Sequence, residues 1–132
     1  MSNNNSLNAR MTIDLKRYRF RIHKTTLHGL GNPKFVQILI NPENLYMMIL
    51  GLDKPIAGGT SKKITAALSA KSNMEFYNSA LLDEILKIFG TLNLRFSYHL
   101  SGEIDQINRV AYFYFNTLKK IEGGQRDDGQ RV

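Results

Sequence analysis

The chain has 132 residues, 42% of them hydrophobic, no cysteine, and 18 basic against 11 acidic side chains, giving a net charge of +7 and a pI near 9.8. That length suits one domain whose core stands without staples, and the lack of cysteine excludes disulfides and thiolate-ligated metal. No apolar run approaches the roughly 18 residues of a membrane-spanning helix, so a soluble, cytoplasmic protein is expected.

The charge is unevenly spread. Residues 1–36 hold seven basic side chains against Asp14 alone, whereas residues 73–118 hold three basic against five acidic. One cationic surface facing a polyanionic partner is the expectation, with nucleic acid and an acidic protein both open.

In chain order, residues 1–13 begin MSNNNSLNAR, which is polar and lacks the apolar core of a signal peptide, and they are expected to form a disordered leader. Leu15 to Lys24, LKRYRFRIHK, reads as a strand. Alternation puts Tyr18, Phe20 and Ile22 on a core face, and Leu15, Arg17, Arg19, Arg21 and His23 on the other. Three guanidiniums spaced roughly 6.6 Å apart suit a phosphate backbone, because arginine presents planar, permanently charged forks and neutralised phosphates release counterions. Solvation of an exposed strand is the competing reading.

Thr25 caps a short helical turn carrying Leu27 and Leu30, closed by Gly31. Phe35 to Ile40 and Leu45 to Leu50 are apolar runs of strand length joined by Asn41-Pro42-Glu43-Asn44, a predicted hairpin. Residues 51–63 read as a loop. Its Gly58-Gly59-Thr60-Ser61-Lys62-Lys63 lacks the glycine spacing of a phosphate-binding loop, although Lys62 and Lys63 offer basic contacts. Ile64 to Leu68 is expected as a short strand or a helical turn.

The second half repeats this order. Asn73 to Tyr77 is a short strand, and Asn78 or Ser79 caps a helix over residues 80–89 that Gly90 ends. Leu94 to Leu100 alternates as a half-buried strand, Ser101 to Asn108 is a polar connection, and Val110 to Thr117 is a strand with apolar or aromatic residues on both faces. Residues 119–132 are expected as a flexible tail. The predicted fold is therefore α+β, with a largely antiparallel sheet, one longer and one short helix, and one domain over residues 14–118.

RFRIHKTTLHGLG aligns by residue type with EFYNSALLDEILKIFG, and FVQILINPENLYMMIL with LRFSYHLSGEIDQINRVAYFYF. An internal β-α-β-β duplication, residues 14–68 and 73–118, is expected from this self-similarity. In that duplicated order the chain resembles a single domain of the DNA sliding clamps. The resemblance implies paired strand-helix units with sheets outside two helices, and a ring around duplex DNA. The chain departs from it in the helix faces, which carry Asp83, Glu84 and Lys87 on the long helix and only His28 on the short one, and a lone domain encircles DNA only by oligomerising.

No catalytic motif stands in the sequence. His23, His28 and His99 lack ligand spacing, Asp83-Glu84 reads as a solvated helix face, and neither GxSxG nor a nucleophilic cysteine occurs. The expected function is a non-enzymatic module without cofactor or metal. It contacts nucleic acid phosphates through Arg17, Arg19, Arg21, His23, Lys24, Lys34, Lys62 and Lys63. The alternative is a small regulatory or inhibitor-type module, of the kind mobile elements encode, docking on an acidic or nucleic-acid-binding protein. A protein partner or homo-oligomer remains open in either case.

Overall fold

The computed structural model describes residues 6–55, 61–63, 73–90 and 92–121. In chain order these form β1 (Ser6–Asp14), β2 (Arg19–Ile22), α1 (Lys24–Gly29), β3 (Phe35–Asn41), β4 (Tyr46–Leu52), β5 (Ser61–Lys63), β6 (Met74–Tyr77), α2 (Ser79–Phe89), β7 (Ser97–Asp105) and β8 (Val110–Lys120). All the strands join one antiparallel sheet in the order β5-β3-β4-β8-β7-β1-β2-β6, curled as a half-barrel. Among the described residues the expected α+β class, largely antiparallel with one longer and one short helix, is what the chain adopts. Among the described residues no helix is long and apolar enough to cross a membrane.

Period-2 alternation sorts the sheet into two faces. Ala9, Met11 and Ile13 of β1, Phe20 and Ile22 of β2, Leu100 and Ile104 of β7, Phe113 and Phe115 of β8, and Met47 and Ile49 of β4 point inward and are buried. Both helices cover this inner face. α1 places Leu27 in the core, while α2 buries Leu82 and Ile85 and sets Phe89 against Phe115 with ring centroids 5.4 Å apart. At roughly 1.5–3 kcal/mol per fully buried large apolar side chain, this single cluster dominates the driving force for folding.

The helix termini follow from local chemistry. Asn78 caps α2, its Oδ1 accepting from the Leu81 amide at 3.0 Å, and Gly90 closes the helix at φ 79°. The N-cap of α1 is His23, which makes no side-chain cap hydrogen bond, and not Thr25, which lies inside the helix. The predicted hairpin is β3-β4, with Asn41 Oδ1 accepting from the Asn44 amide at 3.0 Å.

Several expectations are corrected. The supposed disordered leader contains β1, which pairs with both β7 and β2 near the middle of the sheet. The strand expected over 15–24 is only β2. Residues 15–18 form the turn before it, burying Leu15 and leaving Tyr18 43% exposed at φ 55°, the reverse of their expected faces. β4 runs on to Leu52 and β5 lies inside the expected 51–63 loop. β7 continues to Asp105 through most of the expected polar connection, because Leu100, Gly102 and Ile104 keep the inward alternation. β8 continues to Lys120, so Lys119 and Lys120 belong to the sheet and not to a tail. The element expected over 64–68 and the tail from residue 122 lie outside the described residues.

Candidate nucleic-acid interface

The outward face is where strand register sets the chemistry. Four rows cross the sheet. Tyr77, Arg19, Asp14 and Ser97 are in one register, and Glu75, Arg21, Thr12, His99 and Lys119 in the next. Arg10, Ser101, Tyr114, Tyr46 and Asn41 follow, then Asn8, Glu103, Tyr112, Met48 and Leu39. Charge concentrates on β1, β2 and β6, and aromatic and apolar side chains on β8, β4 and β3.

Arg17, Arg19 and Arg21 are not a bare row of forks. Arg17 Nη1 meets Asp14 Oδ2 at 3.0 Å, Arg19 lies 3.6 Å from the same oxygen, and Arg19 Nη1 reaches Glu75 Oε1 at 3.1 Å. Arg21 holds the other Glu75 oxygen through both Nε, at 2.9 Å, and Nη2, at 2.8 Å. The result is a ladder Arg17-Asp14-Arg19-Glu75-Arg21, three positive charges against two negative. It encloses a polar cleft of about 140 Å³, bounded also by Thr12 and Ser97. The pairs on the half-exposed Glu75 contribute little stability each, whereas Asp14 is buried; together the two carboxylates fix the guanidinium planes and offset two of the three positive charges.

The other expected contact residues separate. His23 sits at the start of α1 with Nε2 3.1 Å from Thr12 Oγ1, which keeps it beside the arginine ladder. The exposed Lys24 follows it, its amide donating to Asn73 Oδ1 at 2.9 Å. Lys34 precedes β3 and its charge helps hold the Asp53 carboxyl below the usual carboxylate range, although the Arg109 guanidinium is the main cause. Lys62 and Lys63 lie on β5 at the opposite edge, with β3, β4, β8, β7 and β1 between them and β2. The eight residues do not form one patch.

Topology supplies basic residues that local reading did not group. The turn before β2 carries Lys16 and Arg17, the turn before β7 carries Arg95, and the end of β8 carries Lys119 and Lys120. All lie at the end of the sheet where Asp14 pairs with Ser97 and His99 with Lys119, and where the Ile121 amide donates to Ser97 O at 2.9 Å. With Arg19 and Arg21, these strand ends and turns bear seven positive charges against Asp14 and Glu75. Among the described residues Lys16, Arg95 and Lys119 enter no ion pair, while Lys120 lies over the Phe96 ring at 4.4 Å. The only signal in the sequence was the pair Lys119-Lys120, and it counts only once β8 is known to extend that far.

Opposite the charged strands, Tyr46 and Tyr112 meet edge to face with centroids 6.0 Å apart, and both are half-buried. The Tyr114 hydroxyl donates to Glu103 Oε2 at 2.6 Å, a bond that, with burial, pushes the phenol up to about 12. Among the described residues no three His, Asp or Glu side chains cluster as metal ligands would.

Comparison of the chain with protein-family models, with curated proteins and with solved structures gives no match.

Proposed function

We propose that this protein is a non-enzymatic binding module that contacts nucleic acid mainly at phosphates. The supporting observation is the basic end of the sheet, where Lys16, Arg17, Arg19, Arg21, Arg95, Lys119 and Lys120 come together from three separate stretches of chain against only Asp14 and Glu75. Unpaired lysines and arginines there are free to neutralise phosphates, releasing counterions without reading base edges. The Arg17-Asp14-Arg19-Glu75-Arg21 ladder sets direction and spacing, and Lys16, Arg95 and Lys119 supply most of the unbalanced charge.

An internal repeat accords with the sheet order. The stretches that align by residue type are β2-α1-β3-β4 and β6-α2-β7-β8; β4 pairs with β8 and β2 with β6, and β3 and β7 flank the β4-β8 pairing. This strand-helix-strand-strand order is what motivates the sliding-clamp resemblance. A ring around duplex DNA is not needed for the proposed activity.

The second reading, a regulatory module docking on a protein partner, is favoured by an apolar cleft of about 280 Å³ between β3 and α2. Val36, Ile38, Ile40, Phe76 and Leu81 line it, with Glu84 at the rim. The two readings separate by fluorescence anisotropy of labelled oligonucleotides. Replacing Lys16, Arg95 and Lys119 by Gln breaks no described ion pair, and is expected to weaken binding at least about ten-fold. Full affinity in this triple variant removes the basic end from the interface and leaves the protein-docking reading.

A further inference from the structure

We infer that the outer face of the sheet takes a single strand of nucleic acid rather than a duplex, with Tyr46 and Tyr112 as stacking surfaces and Arg10 and Lys119 on the flanking phosphates. This rests on the nucleic-acid reading above and adds to it which form is bound and where the bases go.

Three observations converge on this face. First, an open cavity of about 520 Å³ lies beside Tyr46, lined by Leu39 and Met48 and by Asn41, Pro42 and the acidic Glu43 of the β3-β4 turn. Leu39, Ile40, Pro42, Met48 and the Tyr46 ring make most of its lining apolar. Leu39 at its edge is 42% exposed, an uncovered apolar side chain on the sheet. Second, the Tyr46 ring is held in place. Its hydroxyl accepts from Asn41 Nδ2 at 3.3 Å, and its ring packs at 68° to that of Tyr112 on the next strand. Third, the cationic strands lie alongside. Arg10 is in the row that also carries Tyr114 and Tyr46, and stands two strands from Tyr114, roughly 10 Å at ordinary strand spacing. Lys119 comes from β8 itself, the strand of Tyr112.

A largely apolar hollow beside a tyrosine ring, with Lys119 one strand and Arg10 three strands from Tyr46, matches a ligand with flat apolar faces on an extended anionic backbone. Unpaired nucleotides have that form, whereas a duplex buries its base faces in its own stack and would leave Leu39, Tyr46 and Met48 uncovered. An apolar peptide would fill the hollow but leave Arg10 and Lys119 without counterparts. Glu103, cross-strand from Tyr112, keeps its negative charge while accepting from the Tyr114 hydroxyl, so Arg10 and Lys119 are the charges that favour an anionic backbone on this face.

The test is fluorescence anisotropy with a labelled oligothymidine and with a duplex of the same length, using the full chain and the variants Tyr46→Leu, Tyr112→Leu and Tyr46→Phe. The single strand is expected to bind about ten-fold or more tightly than the duplex. Each leucine variant should weaken single-strand binding roughly 5- to 100-fold and leave duplex binding unchanged, while Tyr46→Phe, which keeps the ring and loses only the Asn41 contact to its hydroxyl, should weaken it far less, by no more than about three-fold. Circular dichroism of each variant shows whether the fold is retained, and Tyr46→Phe keeps the comparison valid should a leucine variant misfold. Equal affinity for both forms with no effect of the leucine variants overturns this inference while the phosphate-binding reading stands. No binding of either form overturns both. Self-association that the leucine variants abolish, with no oligonucleotide bound, assigns the face to a second copy of the chain and also overturns the inference.

Discussion

At Gly102 the sheet leaves no room for a side chain. A Cβ there would fall 1.6 Å from the Tyr112 carbonyl oxygen, a backbone atom that cannot swing aside. Gly102→Ala is therefore expected to cost at least about 3 kcal/mol, read as a lowered urea midpoint, because β7 and β8 must part to accept it. A neighbouring pair on the outer face controls a titration. The Glu103 carboxylate accepts from the neutral Tyr114 phenol and holds its pKa near 12, above the ordinary tyrosine value of about 10. A group raised in the folded state contributes stability below its unfolded pKa and loses that contribution as pH climbs through the folded value. The stability difference between the parent and Glu103→Gln should thus be constant below pH of about 10 and shrink toward pH of about 12. Ultraviolet titration of Glu103→Gln should show one tyrosine moving back toward the ordinary range, and an unchanged titration curve would show that Glu103 does not hold the phenol.

Among the elements, β1 carries the most consequence for its length, since it is paired on both sides and buries Ala9, Met11 and Ile13. Met11→Ala should destabilise by about 2–5 kcal/mol in urea unfolding, as for other core truncations, and a change well under 1 kcal/mol would mean that β1 is not integral to the sheet. Asn78→Ala, which removes the side-chain acceptor for the Leu81 amide, should cost about 1 kcal/mol by the same measurement. These elements also show where sequence was sufficient. The β3-β4 hairpin and α2 with its caps were legible because each carries its own stop signals, at Asn41-Pro42, Asn78 and Gly90, whereas β8 was legible as an apolar run but not at its C-terminal end, where no stop signal stands. β1 carries a period too, Ala9, Met11, Ile13 against Asn8, Arg10, Thr12, but the polar run ahead of it disguised a strand as a leader. The turn at residues 15–18 was missed because LKRYRFRIHK alternates without interruption. Only the pairing of Asp14 with Arg19 demands a reversal there.

For the whole molecule, the candidate interface is a product of topology, and this is why so little of it could be read in advance. Glu75, 54 residues from Arg21 along the chain, closes the arginine ladder, and no local signal announces it. Arg95 and Lys119 reach the basic end only because β7 and β8 pair beside β1. Conversely, Lys62 and Lys63, close to the arginines in a charge tally, stand on the far edge strand. Lys62→Gln with Lys63→Gln should therefore lower oligonucleotide affinity far less than the Lys16, Arg95 and Lys119 triple variant, a comparison that anisotropy makes directly. The central claim, that this outer face with its basic end is a phosphate-binding surface, is tested most directly by the salt dependence of single-stranded oligonucleotide binding to the unmodified protein. Three or more neutralised phosphates require a log-log slope of about −2 or steeper, with affinity falling smoothly as salt rises. A slope near zero, or no binding at low salt, would contradict the claim and turn attention to the apolar cleft between β3 and α2 as the working surface.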